Sequence, residues 1–220
     1  MANIEIKPVM SIPTQNTSPR VIERYVQQMV GPALGEYKAL RSCAPSCFFM
    51  VAKAEGYLLD GPGSDLVSFV GSLNWEDDFV ESRGWVRPWL CRTLRERYGL
   101  SLVSWRIDGN HDGSDETIEK MQAAGYIQTE REIAFYRDHV IGRDIEEIVA
   151  DGHPMIVGVL PEFGHNRREH AMVLSHWIND GVEVIDPDER NPYHTYPASY
   201  VRGHLNPSGG GCTIILPASN

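Results

Sequence analysis

Two cysteines stand four residues apart in "RSCAPSCFFMVAKAEGY", residues 41–57, where an apolar run with helical spacing begins. Covalent thiol chemistry needs a sulfur held as thiolate, an imidazole that exchanges the proton, and a third group that orients the imidazole. A cysteine in the first turn of a helix gains from the positive end of the helix dipole, which lowers its pKa and raises the reactive fraction. Pro45, a residue suited to a first turn, places Cys43 at that end. Cys47 follows one turn later on the same face, where a neutral packed thiol is expected. Of the two sulfurs, Cys43 is the better nucleophile.

The second half of the chain supplies partners. In "HAMVLSHWINDGVEVID" two alternating runs flank Asn-Asp-Gly, a hairpin signal, with His170 opening the first strand and Asp186 closing the second. A two-residue turn at Asp180-Gly181 does not set residue 170 across from residue 186, so a bulge or a neighbouring strand must complete the approach. Each residue also has a plainer reading: a buried unreactive cysteine pair, a satisfied core histidine, and an aspartate that forms a turn before Pro187. Zinc fits poorly. The Cys43/Cys47 pair has no second close pair, and His165, His170 and His176 lie on another segment without finger spacing. His111, His139, His153, His194 and His204 read as surface or structural.

Taken together, "SCAPSCFFM", "GHPMIVGV" and "EHAMVLSHWINDGVEVIDPD" resemble the peptidase C39-like branch of the papain-like cysteine peptidases. That family runs Cys-Gly/Ala-x-Ala/Ser-Cys-Leu/Phe-x-Met on a helix, then Gly-x-Pro and an apolar strand, then a strand-opening His and a strand-closing Asp-Pro. The resemblance covers roughly residues 41–57 and 145–190. It implies Cys43 as nucleophile, His170 as general base and acid, Asp186 as the orienting carboxylate, and a peptide or protein substrate with no cofactor and no metal. It also implies a papain-like fold, in which a helical part carrying Cys43 packs on an antiparallel sheet carrying His170 and Asp186. An acyltransferase or peptide cyclase using the same thioester, or a degenerate peptidase that only binds peptides, is the alternative. One departure stands out: family members place an oxyanion-donating glutamine a few residues before the cysteine, and here that place falls at Tyr37 in "GEYKALRSC". Loss of one oxyanion donor costs on the order of 100-fold to 1000-fold in rate. Gln15, if residues 16–36 form an inserted helix, or the Tyr37 hydroxyl could stand in.

The elements that must position these residues follow from spacing. Residues 1–17 read as an N-terminal arm, and Ser18 and Pro19 open a helix with Val21, Ile22, Tyr25 and Met29 as its apolar stripe, broken at "GPALG". The Cys43 helix turns Phe48, Met50, Val51 and Ala54 inward and ends at Gly56. Residues 58–90 read as loop-rich, followed by a helix at "RPWLCRTLRERYG", a strand at "LSLVSWRI", helices at "DETIEKMQAAG" and "GRDIEEIVADG", a buried strand at "PMIVGVL", the late hairpin, and a last strand at "CTIILP". Helices first and antiparallel strands last argue an α+β chain, read as a single domain over residues 1–220.

Composition narrows the partners. The formal net charge of -10 opposes nucleic acid and anionic lipid. Neither a long apolar span nor a secretory leader is visible, so a cytoplasmic protein without membrane contact is expected, with its four cysteines as free thiols. Three other features have bland readings. "DGNHDGSDETIE", residues 108–119, places Asp108, Asn110, Asp112, Gly113 and Glu119 in the slots of a calcium loop, yet the incoming segment reads as a strand and a polar turn capping the next helix needs no metal. Glu76, Asp77, Asp78 and Glu81 read as a solvated acidic face that would attract a basic peptide. "SGGGC" reads as a loop before the last strand rather than a double-glycine cleavage signal.

Overall fold

A computed structural model describes residues 30–57, 63–81, 84–107, 109, 111–163, 169–188, 194–206 and 211–219. The arm, the helix expected after Ser18, and Gln15 lie outside the described residues. Short helices α1 (Gly31–Leu34) and α2 (Glu36–Ala39) lead into α3 (Cys43–Ala54). Then come α4 (Leu66–Ser72), α5 (Trp75–Asp78), the ribbon of β1 (Phe79–Val80) and β2 (Gly84–Trp85), and α6 (Arg87–Tyr98). Strand β3 (Leu102–Trp105) is followed by α7 (Asp115–Ala124), α8 (Glu130–His139), α9 (Ile145–Ala150) and β4 (Met155–Val159). The chain ends with β5 (His170–Ile178), β6 (Gly181–Ile185), β7 (His194–Pro197), α10 (Ala198–His204) and β8 (Cys212–Ile215).

The expected α+β character holds: six strands form one antiparallel sheet in the order β3-β8-β4-β5-β6-β7. Its two faces are sorted by side-chain parity. Leu102, Ile156, Ala171, Val173, Ile185 and Ile215 turn to one core together with α3, while Val103, Val157, Met172, Leu174, Val184 and Ile214 turn to a second core that includes α8 and α9 residues. Covered on both sides, β3 and β4 are wholly buried. Helix α3 is not a surface helix with one apolar stripe. Ala44 to Ala52 are all buried, and Phe48, Met50 and Val51 have no exposed surface, while Ala54 at its end keeps some.

Several local expectations need correction. Within "GPALG", Gly31–Leu34 form α1, with Pro32 in its first turn where a missing N–H costs nothing. The stretch 58–90 contains α4 and α5, and Asp65 caps α4 by accepting from the Ser68 N–H at 2.9 Å. Helix α8, the edge strand β7 and α10 were also not expected. The sequence did carry the signal for α8, since Thr129 and Glu132 make a capping box. The hairpin loop is Asn179-Asp180, with Ile178 paired to Gly181 and Asn179 in the left-handed region at φ 51°. Asp78 is not part of a solvated face. It is buried against α6, and burial raises the pKa of its carboxyl.

Glu132 fastens the helical layer to the sheet. Its carboxylate, fully buried, accepts from the backbone N–H groups of Leu102 at 2.8 Å and Gln128 at 2.6 Å and pairs with Arg95 at 3.2 Å. Arg95 in turn donates to the carbonyls of Gly125, Leu102 and Tyr126 at 2.8–3.0 Å. One ion pair therefore joins α6, β3, the end of α7 and the start of α8. Glu132→Ala leaves a buried guanidinium and two backbone donors uncompensated, and we expect a loss of about 3–5 kcal/mol in urea unfolding, against well under about 1 kcal/mol for the exposed pair partner Glu116→Ala.

Candidate active site

Cys43 is the first residue of α3, and the two N–H groups of Cys43 and Ala44 have no acceptor within the helix. Pro45 contributes no N–H to this turn. The helix is held from behind by the Ser42 carbonyl, which accepts from the Ser46 N–H at 2.8 Å, and by the Ser42 hydroxyl, which donates to the Ala39 carbonyl at 2.9 Å. The helix dipole and this first turn face the beginning of β5. Cys43 is partly exposed, whereas Cys47 is fully buried and donates to the Ala171 carbonyl at 3.4 Å.

His170 and Asp186 meet directly. His170 Nε2 lies 2.7 Å from Asp186 Oδ1, with the two residues 8 % and 4 % exposed. The same carboxylate oxygen accepts from the Asp188 N–H at 2.7 Å, an Asx-turn over Pro187. Asp186 is thus both the turn former and the imidazole's partner, and the two readings of this residue are one arrangement. With Nε2 on Asp186, the other ring nitrogen, Nδ1, is the one left to face the sulfur.

A bulge makes the meeting possible, as the turn arithmetic required. From the loop, the ladder runs Ile178↔Gly181, Trp177↔Val182 and His176↔Glu183, then slips by one to Leu174↔Val184 and Val173↔Ile185. Ser175 is the extra residue, and its hydroxyl bonds the Glu183 carbonyl at 3.2 Å and the Glu183 carboxylate at 2.7 Å. Without the slip, strand alternation would put residue 186 on Val173's face, away from residue 170. With it, both fall on the side of Met172 and Val184. Sequence reasoning anticipated a device of this kind but not its position. Serine between Leu174 and His176 carries no distinctive bulge signal.

The electrostatics suit a reactive thiol. Burial works against the Cys43 thiolate, but the charge and hydrogen bonding of His170, together with the backbone of Ala171 and Ala44, outweigh it and lower the thiol's pKa. Burial likewise disfavours the imidazolium, yet Cys43 and Asp186 hold the His170 pKa up at about 10. For Cys47, burial, Cys43 and Asp186 all push the pKa well up, so it stays a neutral thiol. Beneath α3 lies Arg87, a buried guanidinium that donates to Thr213 Oγ1 at 3.2 Å and sits 5.5 Å from the centre of the Phe48 ring. Burial depresses its pKa, and the neighbouring Cys91, Cys212, Cys47 and Cys43 oppose that. Sequence reading had not singled it out.

Tyr37 is 49 % exposed and turned outward, its hydroxyl donating to Glu81 and its ring stacked under Arg41 at 4.0 Å. That hydroxyl proton is committed to a carboxylate, so the tyrosine does not take over the glutamine's part. Among the described residues, the first-turn N–H groups of α3 are donors at this end. In the acidic 108–119 stretch, Asp108 and Asn110 lie outside the described residues. Asp112 accepts from the Ser114 and Thr117 hydroxyls at 2.8 and 2.7 Å, and Ser114 caps α7. Among the described residues no three His, Cys, Asp or Glu side chains are grouped to hold a metal ion. None of the described helices is long and apolar enough to cross a membrane.

Neither protein-family models nor curated proteins give a match to this chain.

The signs of the two shifts define a pH window. His170, raised from its unfolded value, contributes stability that is complete below about 6.5 and lost as pH rises through about 10. Cys43, lowered, contributes stability that is present above its unfolded value and lost as pH falls through its folded one. The thiolate-imidazolium pair therefore occupies the range between the lowered thiol pKa and about 10. Iodoacetamide modification of Cys43, followed against pH, should keep its plateau below the normal thiol range. In His170→Ala the midpoint should move upward toward or past the free-cysteine value of about 8.5, because burial is then opposed only by the backbone of Ala171 and Ala44.

Proposed function

We propose that this chain is a cysteine-type amide hydrolase of the papain-like, peptidase C39-like kind, acting on a peptide or isopeptide bond through Cys43, His170 and Asp186. The observation that carries the reading is the junction of three elements: a thiol with a lowered pKa on the first residue of α3, beside an imidazole whose far nitrogen is 2.7 Å from a buried carboxylate. The α+β architecture, with the thiol helix packed on the antiparallel sheet that carries the other two residues, supports a papain-like fold.

In this reading the Cys43 thiolate attacks the carbonyl carbon, and the tetrahedral oxyanion is met by the N–H groups at the start of α3. His170 gives its proton to the leaving amine as the C–N bond breaks, leaving a thioester on Cys43. The neutral imidazole then takes a proton from water, whose oxygen displaces the sulfur. Asp186 keeps the ring oriented with Nδ1 toward the sulfur and stabilises the imidazolium. A reducing compartment such as the cytosol would keep the four free thiols reduced.

One observation favours a second reading. The usual oxyanion donor is replaced by Tyr37, whose hydroxyl is committed to Glu81, and a chain that binds peptides without cleaving them would tolerate that replacement. Labelling with a peptide-like thiol-reactive electrophile separates the two. Under the hydrolase reading Cys43→Ala loses all labelling, His170→Ala slows it by about 100-fold to 10,000-fold, and Cys47→Ala leaves it largely intact. Equal labelling of wild type and Cys43→Ala would remove the hydrolase. Product masses from a peptide mixture, with and without added amine, then distinguish hydrolysis from acyl transfer or cyclisation. A peptide-binding chain would keep its affinity after Cys43 is alkylated.

A further inference from the structure

Cys47 has no part in the proposed hydrolysis, yet it is buried one turn from Cys43 on the same helix. Residues four apart on a helix share a face, with α-carbons separated by about 6 Å, inside the range a disulfide spans, and β-carbons about 5–6 Å apart, so the first turn of α3 must tighten by about 1–2 Å for the sulfurs to bond. In α3 both sulfurs converge on one residue of the sheet. Cys47 Sγ donates to the Ala171 carbonyl at 3.4 Å, and the backbone of the same Ala171 hydrogen-bonds the Cys43 sulfur. The β5–β6 ladder has ended at Val173↔Ile185, so the Ala171 peptide is met by these side chains rather than by β6. Cys43 is partly exposed, Cys47 is fully buried, and both are free.

From this placement we infer that Cys43 is a site of reversible peroxide oxidation and that Cys47 is its resolving thiol. The Cys43 thiolate attacks one oxygen of hydrogen peroxide, the O–O bond breaks, and the departing hydroxide takes the His170 proton to leave as water, giving a sulfenic acid on Cys43. The Cys47 sulfur then attacks the Cys43 sulfur, the S–O bond breaks, and the hydroxyl leaves as water with the Cys47 proton. Two thiols lose two electrons in total and one peroxide gains them. The bond joins consecutive turns of α3, so it silences the nucleophile without pulling elements apart. Because Cys47 is closed to solvent, an external oxidant reaches it only through Cys43. The inference rests on a reactive thiol at Cys43, not on amide chemistry.

The test uses the full chain and needs no substrate. Cleavage after Arg41 and Lys53 releases residues 42–53, which hold Cys43 and Cys47 and no other cysteine. After brief treatment with hydrogen peroxide and alkylation of free thiols, this peptide should be unalkylated and lighter than the reduced form by about 2 Da, and dithiothreitol should restore alkylation at both positions. Oxidation of Met50 adds an oxygen and is distinguished by mass. In Cys47→Ser, whose hydroxyl can still donate to Ala171, the reversible species should fall at least about tenfold, with sulfinic acid, heavier by about 32 Da, in its place. The wild-type measurement stands even if that variant folds poorly. The inference is overturned if wild-type Cys43 oxidises while Cys47 remains alkylatable, if neither thiol reacts with peroxide, or if Cys47→Ser recovers as fully as wild type. Failure of the labelling test with intact linkage here would remove the hydrolase and leave the redox pair.

Discussion

Successive residues of a strand point to opposite faces, so a hairpin brings an imidazole and a carboxylate together only when their registers agree in parity. In this protein the parity is decided by one residue. Leu174 and Trp177 share a face three positions apart on β5, while their partners Val184 and Val182 are two apart on β6, and Ser175 absorbs the difference. The hydrophobic pattern holds the register on both sides of the bulge, because a slip would send Val173 and Ile185 into the wrong core. The His170–Asp186 contact thus depends on burial far larger than its own hydrogen bond.

The placement of the thiol depends on a second constraint, the complete burial of α3. A helix with one apolar face could rotate about its axis at modest cost. One enclosed between the sheet and α4, with every residue from Ala44 to Ala52 buried, cannot. Its N-terminus is therefore delivered to the beginning of β5 in a single orientation, beyond the last β5–β6 pair. The positive end of the helix and the imidazole meet at the same sulfur.

Two buried acid-base pairs in this fold illustrate different uses of the same physics. At Glu132 and Arg95 the carboxylate and the guanidinium are taken up by each other and by backbone groups. At His170 one ring nitrogen is tied to a buried carboxylate and the other is open to a thiol, which leaves a proton able to move. The first arrangement is closed and structural. In the second the cost of burying charge is offset by a reactive partner as well as by the carboxylate, which is the setting in which shifted pKa values acquire chemical meaning. Tyr37 and Glu81 show a third case, an exposed pair that consumes the hydroxyl a catalytic role would have needed.

Much of this was legible in the residues. Periodicity located α3, α6, α7, α9 and the strands β3, β4, β5, β6 and β8, and Cys43, His170 and Asp186 could be chosen for their types and their places at element ends. Besides the short helices α1, α2, α4 and α5 and the β1–β2 ribbon, three later elements escaped. Helix α8 announced itself only through its Thr129 and Glu132 cap, and β7 and α10 are short, with stability that comes from tertiary packing. Asp78 was assigned to the surface because charge was read along the chain, whereas its burial arises from α6 packing on it from a distant segment. By itself the sequence determined which side chains could do thiol chemistry and on which kind of element each sits, since dipoles, caps and alternation act within a few residues. Whether sulfur, imidazole and carboxylate share one point was decided by the tertiary structure, because that depends on a one-residue bulge and on the enclosure of α3 by segments far away in the chain.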